Sequence, residues 1–377
     1  MNYEIRHFDT PVLRFSADDG AESNLQVLWV TENKNLLPLD MASADKETVS
    51  AWLRHRTVPK NRAYVNSLLA AMGLSPNRQM DVIKASKGLS LNDCYWVVEE
   101  GFSGTFAKYN LYDNRFSRVL GLIAFTGYGS NQVSGMTSSP EFTTNGMLRK
   151  CWRRISGKIY LYKGGTEGAS NTGFEPYSEF YAAQVAQAMG INAIPYGLSK
   201  WKGTLCSTCE LFTSKNYAFL PVGRLVTRGG FKAVTEYYQQ LGPAYLAALG
   251  DMVILDALIC NVDRHFGNFG FLIDNQTNQI VSHAPLFDHG NSLFSLAGQD
   301  AWESDTALDE YIRTLQPSAY DDFIGTAKAW MTPGHREQLR HMLQFRFKKH
   351  SRYNLPNKRL QMIEKQIQKR ARLLLQG

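Results

Sequence analysis

Asn261-Val-Asp263-Arg264-His265-Phe-Gly-Asn268-Phe-Gly-Phe-Leu-Ile273 is the stretch of sequence that decides the fold. It follows the apolar run Ala244–Cys260, which predicts a buried helix, and it leads into apolar residues that predict a strand. Its polar residues should therefore lie on a tight loop between a buried helix and a strand. Polar side chains held in such a loop point to a functional site rather than to packing.

Asp263 and Asn268 are five residues apart, the interval between the catalytic Asp and the metal-binding Asn of phosphotransferases. A carboxylate can take the proton of an attacking hydroxyl, and an amide oxygen can bind a hard cation. Asp288 ends the run Ala284-Pro-Leu-Phe-Asp288 at the end of another apolar segment. We therefore predict Asp263 as the catalytic base and Asn268 and Asp288 as Mg²⁺ ligands. The structural alternatives are an Asp263–Arg264 ion pair and an Asx turn at Asp288.

A cation for nucleotide phosphates is predicted upstream of this loop. The run Lys158–Tyr162 predicts a strand with Lys163 at its end, and Pro176–Met189 predicts a helix. Lys163 can pair with the phosphates as a point charge, and Glu179 on the helix can orient it. The Gly-, Ser- and Thr-rich run Ser134–Gly146 is a candidate for covering the phosphates with backbone N–H groups.

The order of these features along the chain favours a kinase over four separate structural roles. It predicts an α+β, bilobal protein-kinase-like fold with a helical N-terminal module. Residues 1–128 are predicted as that helix-rich module, within which Val119–Phe125 reads as a buried strand. Residues 129–214 are predicted as a small β-rich lobe that binds nucleotide. Residues 215–377 are predicted as a large helical lobe that carries the catalytic loop.

The motifs N-x-D-R-H-x-x-N at Asn261–Asn268 and A-P-x-F-D at Ala284–Asp288 resemble those of the HipA-like serine/threonine kinases. That family lies within the wider group of protein kinases and phosphoinositide kinases. The resemblance covers about residues 143–293 and is most specific over residues 261–293. It implies ATP and Mg²⁺ as cofactors, with Asp263 as the base and Lys163 as the phosphate-binding lysine.

The resemblance also implies positions for the rest of the nucleotide site. Residues 138–146 occupy the place of the family's glycine-rich loop, and residues 210–214 occupy the place of the hinge that binds adenine. The implied ATP-binding residues are Lys163, Glu179, Glu210, Phe212, Thr143, Thr144 and Gly146. In the family a loop serine can be autophosphorylated, and the candidates here are Ser138, Ser139, Thr143 and Thr144.

The function implied by the resemblance is transfer of phosphate from ATP to a Ser or Thr hydroxyl of a protein, such as a translation factor. Because the family includes toxins that an antitoxin holds, an antitoxin or regulator protein is an implied partner. Residues 1–128 do not match the N-terminal subdomain of toxin-type HipA, so the toxin role stays open. Two further alternatives stay open. They are a phosphoinositide-type lipid kinase, favoured by the D-R-H order, and a non-catalytic, nucleotide-regulated DNA-associated protein.

The basic charge of the chain is concentrated near its C-terminus. Residues 336–372 contain 12 Lys and Arg against two Glu, whereas the rest of the chain has a net charge of −3 within a total of +7. Apolar residues in this tail recur with helical spacing, which predicts an amphipathic terminal helix; they are Leu360, Ile363, Ile367 and Leu374. A solvated basic face could contact nucleic acid weakly.

The remaining composition excludes several classes of protein. The 377 residues include five scattered cysteines, which predicts reduced cytosolic thiols rather than a disulfide framework. Cys206 and Cys209 form one C-x-x-C pair with no second pair, so we expect no zinc site. No run of 18 apolar residues occurs, and residues 1–15 lack the apolar core of a signal peptide. We therefore expect a cytoplasmic protein without a membrane span.

Overall fold

A computed structural model describes residues 1–18, 24–41, 43–129, 139–168 and 172–376 of the chain. Its strands are β1 (Asn2–His7), β2 (Thr10–Ser16), β3 (Gln26–Val30), β4 (Tyr95–Glu99), β5 (Lys150–Ile155), β6 (Lys158–Gly164), β7 (Gly197–Trp201), β8 (Thr204–Glu210), β9 (Tyr217–Pro221), β10 (Gly270–Asp274) and β11 (Gln279–His283). Its α-helices are α1 (Lys46–Arg54), α2 (Val65–Ala70), α3 (Gln79–Ser86), α4 (Phe106–Tyr109), α5 (Arg118–Thr126), α6 (Glu175–Ala188), α7 (Gly230–Leu241), α8 (Pro243–Ile259), α9 (Asp305–Arg313), α10 (Phe323–Trp330), α11 (Pro333–Met342) and α12 (Asn357–Leu375). In these ranges, no helix combines the length and apolarity needed to cross a lipid bilayer.

The chain forms two compact units, and the first comprises residues 1–162, 211–220 and 272–281. Strands β3, β2, β1 and β4 form an antiparallel sheet in that order. The sheet and helices α1 and α3 share one apolar core, because alternate side chains of a strand point to the same face. This core includes Tyr3, Ile5, Leu13, Phe15, Trp52, Ile83 and Val97.

The N-terminal 128 residues differ from the predicted helix-rich module in one respect. Helices α1 to α5 are present, but the four-stranded sheet of β1 to β4 accompanies them. This sheet is not predicted from the sequence because its strands are short: β3 and β4 have five residues each. Strands of this length leave too few residues to show a clear alternation of apolar and polar positions.

The prediction that Val119–Phe125 forms a strand is wrong, because these residues lie in helix α5. Ser117 begins the helix by accepting the N–H of Leu120 at 3.3 Å. Gly127 ends it with a φ of 76°, a conformation that glycine adopts without steric cost. A short, continuous apolar run does not distinguish a buried strand from a buried helix. Here the two end signals decide for the helix.

The second unit comprises residues 163–210, 221–271 and 282–377. Its central element is α8, whose residues from Leu249 to Ile259 are buried except Asp251. Helices α6, α7, α10 and α12 pack around it. A helix that is apolar on every side must be enclosed in this way. The predicted helix over Ala244–Cys260 is confirmed within one residue at each end, and its burial begins at Leu249.

The elements that flank the predicted lysine are also confirmed. Strand β6 extends from Lys158 to Gly164, and helix α6 extends from Glu175 to Ala188. The boundary between the two compact units falls between Tyr162 and Lys163, inside β6. The bilobal arrangement and the division at residues 129 and 215 stay predictions.

Helix α12 confirms the predicted amphipathic terminal helix. Leu360, Ile363, Ile367 and Leu374 are all buried. On its outer side, Lys365 pairs with Asp305 and Lys369 pairs with Asp309, both at 2.7 Å. Part of the basic charge of the tail is therefore neutralised by carboxylates of α9.

Candidate active site

Lys163 is the centre of a buried charge cluster in the second unit. Its Nζ lies 2.9 Å from Glu179 Oε1 and also bonds Asp288 Oδ1. Asp288 is 125 positions away along the chain. The strand end supplies the lysine, α6 supplies Glu179, and the segment after β11 supplies Asp288. The structure thus brings together three of the residues that the sequence analysis selected.

The two carboxylates of the cluster differ in exposure. The Glu179 side chain is 1% exposed, whereas that of Asp288 is 33% exposed. Burial alone would lower the pKa of Lys163, but the Asp288 and Glu179 carboxylates outweigh it and raise the pKa. Burial raises the pKa of Glu179, an effect that Lys163 opposes. Lys163 is therefore held as a cation between one sealed and one accessible partner.

Backbone hydrogen bonds fix the segment that carries Asp288. The Asp288 N–H donates to Tyr196 Oη at 3.2 Å, and the next N–H, of His289, donates to Glu179 Oε2 at 2.7 Å. Asp288 has a φ of 58°, a left-handed conformation that is uncommon for residues other than glycine. This turn directs the carboxylate toward Lys163 while the backbone stays bonded on both sides.

Asp263 and Asn268 lie in the loop between α8 and β10, as predicted. The loop begins where Cys260 adopts a φ of 49° and ends the helix. Asn268 Nδ2 donates to the backbone O of Asp263 at 3.1 Å, which closes the loop. Asn291 Nδ2 donates to Asp263 Oδ2 at 3.0 Å and orients that carboxylate. Asn291 is not among the residues predicted from the sequence, because no spacing rule links it to Asp263.

Arg264 does not pair with Asp263, so that structural alternative is wrong. Its Nε lies 3.0 Å from Asp256 Oδ2 on α8, and both side chains are fully buried. Burial raises the pKa of Asp256 against the opposing effect of Arg264. The sequence does contain an indication of this pair. Asp256 is a carboxylate within a strongly apolar helix, and a buried charge requires a partner.

The donors in this unit fit Mg²⁺ better than a transition metal. Asn268 uses its Nδ2 within the loop, so Oδ1 is the atom that would bind a cation, and Asp288 offers a carboxylate. Mg²⁺ takes oxygen ligands and binds through one or two protein groups together with phosphates and water. Over the described ranges, no group of three or more His, Cys, Asp or Glu residues has the arrangement of a metal site.

The predicted phosphate-covering residues lie in the first unit. Thr143 is buried and its Oγ1 donates to Leu89 O at 2.8 Å. Thr144 Oγ1 donates to Pro140 O at 2.7 Å and accepts the indole N–H of Trp152 at 2.9 Å. Gly146 has a φ of 91°. The ATP-binding roles of these three residues stay predictions.

The other two predicted nucleotide contacts are Glu210 and Phe212. Glu210 is the exposed last residue of β8, in the second unit. Phe212 belongs to the first unit, where its ring lies edge-on to that of Phe219 at 5.5 Å. Their adenine-binding roles stay predictions as well.

The autophosphorylation candidates differ in accessibility. Ser139 is buried, and its Oγ accepts the N–H of Glu141 at 3.4 Å. The fully buried Glu141 also pairs with Arg62 at 2.7 Å, which anchors this segment. Ser139 and Thr143 therefore use their hydroxyls inside the fold. Ser138 lies outside the described residues.

No protein-family model matches the chain. The chain is 26% identical over 135 residues to the serine/threonine-protein kinase CtkA of Helicobacter pylori, covering 32% of this chain and 41% of that protein. This chain thus spans 41% of the length of that curated relative.

Solved structures give a second comparison. A Shewanella oneidensis HipA, solved with HipB and operator DNA, aligns with a TM-score of 0.51 at 12% identity, over 98% of this chain and 96% of that one. The crystal structure of the Helicobacter pylori proinflammatory kinase CtkA aligns with a TM-score of 0.47 at 17% identity, over 60% of this chain and 92% of that one. The chain shares the HipA fold, and its resemblance to the HipA-like kinase family is confirmed.

Proposed function

We propose that the chain is an ATP-dependent serine/threonine protein kinase of HipA type, with two lobes around the nucleotide. The observation that carries the proposal is the position of Lys163, whose Nζ contacts both Glu179 and Asp288. A lysine held by a helix glutamate beside a metal-binding aspartate is what phosphoryl transfer requires. A structural ion pair would need only one carboxylate.

The exposures of the two carboxylates suggest how Lys163 serves a nucleotide. Glu179 is sealed from solvent and stays with Lys163, whereas Asp288 is partly exposed and can exchange its contact for a phosphate oxygen. Lys163 would then neutralise charge on the phosphates, and Asp288 with Asn268 would hold Mg²⁺. The bound Mg²⁺ supplies further neutralisation of charge on the transferring phosphoryl group.

Asp263 would orient and deprotonate the attacking hydroxyl of the substrate. Its Oδ2 accepts from Asn291 Nδ2 at 3.0 Å, which leaves Oδ1 for the substrate hydroxyl.

The substrates and partners follow from the same proposal. We propose a Ser or Thr of a protein, such as a translation factor, as phosphate acceptor, and the segment 138–144 as a site of autophosphorylation. The Shewanella oneidensis structure contains HipB and operator DNA. That assembly supports an antitoxin or regulator protein as partner of this chain, which would contact nucleic acid only indirectly or weakly. We propose a cytoplasmic location on the same grounds.

Transfer of ³²P from ATP to a host lysate and to the protein itself tests the proposal. We expect Asp263→Asn and Asp288→Asn each to lower transfer at least 1000-fold, since each removes a carboxylate that acts on the reacting groups. Intact-mass spectrometry after incubation with Mg-ATP distinguishes self-modification from transfer to other proteins.

Asp305→Asn is the matched control, because Asp305 lies in the same unit but is 55% exposed and pairs with Lys365, away from the proposed site residues. This variant should transfer phosphate at the wild-type rate. Full activity of Asp263→Asn or Asp288→Asn would refute the assignment of the site. Absence of transfer by the wild-type protein to any acceptor would refute the kinase function.

A further inference from the structure

Arg264 bonds both segments that carry the proposed Mg²⁺ ligands. Its Nη1 donates to the backbone O of Asn268 at 3.3 Å and to the backbone O of Phe287 at 2.5 Å. Asn268 is itself one proposed ligand, and Phe287 directly precedes the other, Asp288. One guanidinium nitrogen therefore spans the two backbones whose separation determines the distance between the ligands.

The opposite side of the guanidinium is anchored in the core. Its Nε and Nη2 donate to the carboxylate of Asp256 on α8, at 3.0 and 3.1 Å. Both side chains of this pair are fully buried. A rigid, planar guanidinium with two bonds to one carboxylate has a fixed orientation, which a lysine could not reproduce. Arg264 thus holds the two ligand segments in fixed positions relative to α8.

His289 extends this connection to the lysine cluster. Arg264 Nη2 lies 3.0 Å from His289 Nδ1, and because arginine has no acceptor, Nδ1 must accept. The imidazole proton is then on Nε2, which is buried and without a hydrogen-bond partner among the described atoms. The His289 backbone N–H donates to Glu179.

We infer that Arg264 is a positioning residue that sets the spacing of Asn268 and Asp288 and, through that spacing, the affinity of the site for Mg²⁺. This inference rests on the proposed kinase function. The alternative is that the Asp256–Arg264 pair only stabilises the fold. The two differ in one respect: a positioning role affects metal binding in protein that is fully folded.

Binding of Mn²⁺, a paramagnetic substitute for Mg²⁺, tests the inference by electron paramagnetic resonance with ADP present. We expect Arg264→Lys to weaken Mn²⁺ binding about 10- to 100-fold, the range for groups that orient metal ligands. ADP affinity without metal should stay within about twofold of wild type, because Arg264 contacts no proposed nucleotide-binding side chain. His289→Phe, which keeps a planar ring but removes the Nδ1 acceptor of Arg264 together with Nε2, should weaken Mn²⁺ binding by a smaller factor.

Arg370→Lys is the matched control. Arg370 is another buried arginine of the same unit, and its Nε donates to the backbone O of Ala257, the neighbour of Asp256 on α8. Its hydrogen bond and its position over the Phe323 ring lie outside both ligand segments. Its substitution, like that of Arg264, should lower the unfolding temperature, but it should leave Mn²⁺ affinity unchanged.

The outcomes separate this inference from the proposed function. Folded Arg264→Lys protein that binds Mn²⁺ like wild type would overturn the positioning role while the kinase proposal stands. Should Arg264→Lys fail to fold, unchanged Mn²⁺ affinity of His289→Phe would overturn it instead. Wild-type protein that binds ADP but no Mn²⁺ would refute the proposed metal ligands, and the positioning role with them.

Discussion

The Glu179 carboxylate is fully buried, so both of its oxygens need hydrogen-bond partners. They accept from Lys163 Nζ and from the His289 N–H. Glu179→Gln keeps the shape but loses the charge that holds Lys163. We expect kcat/KM for ATP to fall about 10- to 100-fold, as for loss of a hydrogen bond to a charged group. Steady-state kinetics with Glu236→Gln, an exposed glutamate of α7, provides the control. Equal kinetics in the two variants would contradict an orienting role.

His283 gives the second unit a predicted sensitivity to acid. Burial lowers the pKa of His283 to about 4, whereas the unfolded chain titrates near its ordinary value of 6.5. As the pH falls from about 6.5 to about 4, the unfolded state binds the proton first, so the free energy of unfolding decreases; above pH 6.5 the effect is absent. At pH 5 the decrease amounts to about 1–2 kcal/mol.

His283→Phe removes this contribution and suits the site, because Tyr238 and Phe271 surround the ring. We expect urea unfolding at pH 7 and pH 5 to differ by about 1–2 kcal/mol less in the variant than in wild type. His289 is also held neutral by burial, so some acid sensitivity remains in both proteins. An identical pH dependence would show that His283 binds its proton equally well in the folded and unfolded states, which would contradict this prediction.

The hydroxyls of segment 139–144 predict where autophosphorylation does not occur. Ser139 and Thr143 are buried, and their Oγ atoms are hydrogen-bonded inside the first unit. A phosphate on either would have to be desolvated or would open the segment. We expect peptide mass spectrometry after incubation with Mg-ATP to find both residues unmodified. Phosphate on Thr143 would instead show that this segment leaves its observed position before the reaction.

At the scale of elements, the sequence predicted those whose ends carry clear signals. Helix α6 has Pro176 in its first turn, and strand β6 ends at Gly164 with Gly165 directly after it, so the sequence places both elements correctly. The sequence predicts a strand in place of helix α5, because Val119–Phe125 is a continuous apolar run that shows no helical periodicity. Asp256 within α8 indicates a buried ion pair, but motif spacing does not identify its partner. Arg264 is recognised as that partner from the burial of both side chains in the fold.

Helix α12 combines a buried stripe with a paired basic face, and the two should differ in their effect on stability. Ile367→Ala removes a fully buried side chain and should cost about 2–5 kcal/mol of unfolding free energy. Lys365→Ala removes an exposed pair with Asp305 and should cost less than about 1 kcal/mol. Urea denaturation measures both. Similar costs would mean that α12 is not anchored by its apolar face.

The packing of α12 also decides how the basic tail can be tested as a nucleic-acid contact. Deletion of residues 336–377 would remove Ile363, Ile367 and Leu374 from the core of the second unit, so lost DNA binding would only report unfolding. Substitution of exposed lysines leaves the core intact. We expect Lys365→Ala/Lys369→Ala to leave retention on DNA unchanged, since α9 carboxylates already pair both cations. Loss of retention would restore a direct role for the helix.

For the whole molecule, the order of residues along the chain predicted which side chains meet, but not what holds them. Lys163, Glu179 and Asp288 were selected because a kinase requires a cation and carboxylates in that order, and they are in contact. Arg264, His289 and Asn291 were not selected, because their roles depend on hydrogen bonds between segments that no single motif contains. Chemistry that repeats across kinases is visible in one sequence, whereas the local scaffold that supports it is not.

Ligand binding can locate the proposed nucleotide contacts along the chain. With non-hydrolysable Mg-ATP at about 100 times its Kd, unfolding free energy should rise by about 2.7 kcal/mol. In hydrogen exchange, peptides covering 261–268 and 284–291 should gain protection, and α12 should not. Protection at 139–146 and 210–214 would support the predicted roles of Thr143, Thr144, Gly146, Glu210 and Phe212. Asp288→Asn should lose the protection at 261–268, because the proposed metal joins these segments. Protection confined to residues 1–128 would place the nucleotide elsewhere and contradict the proposed site.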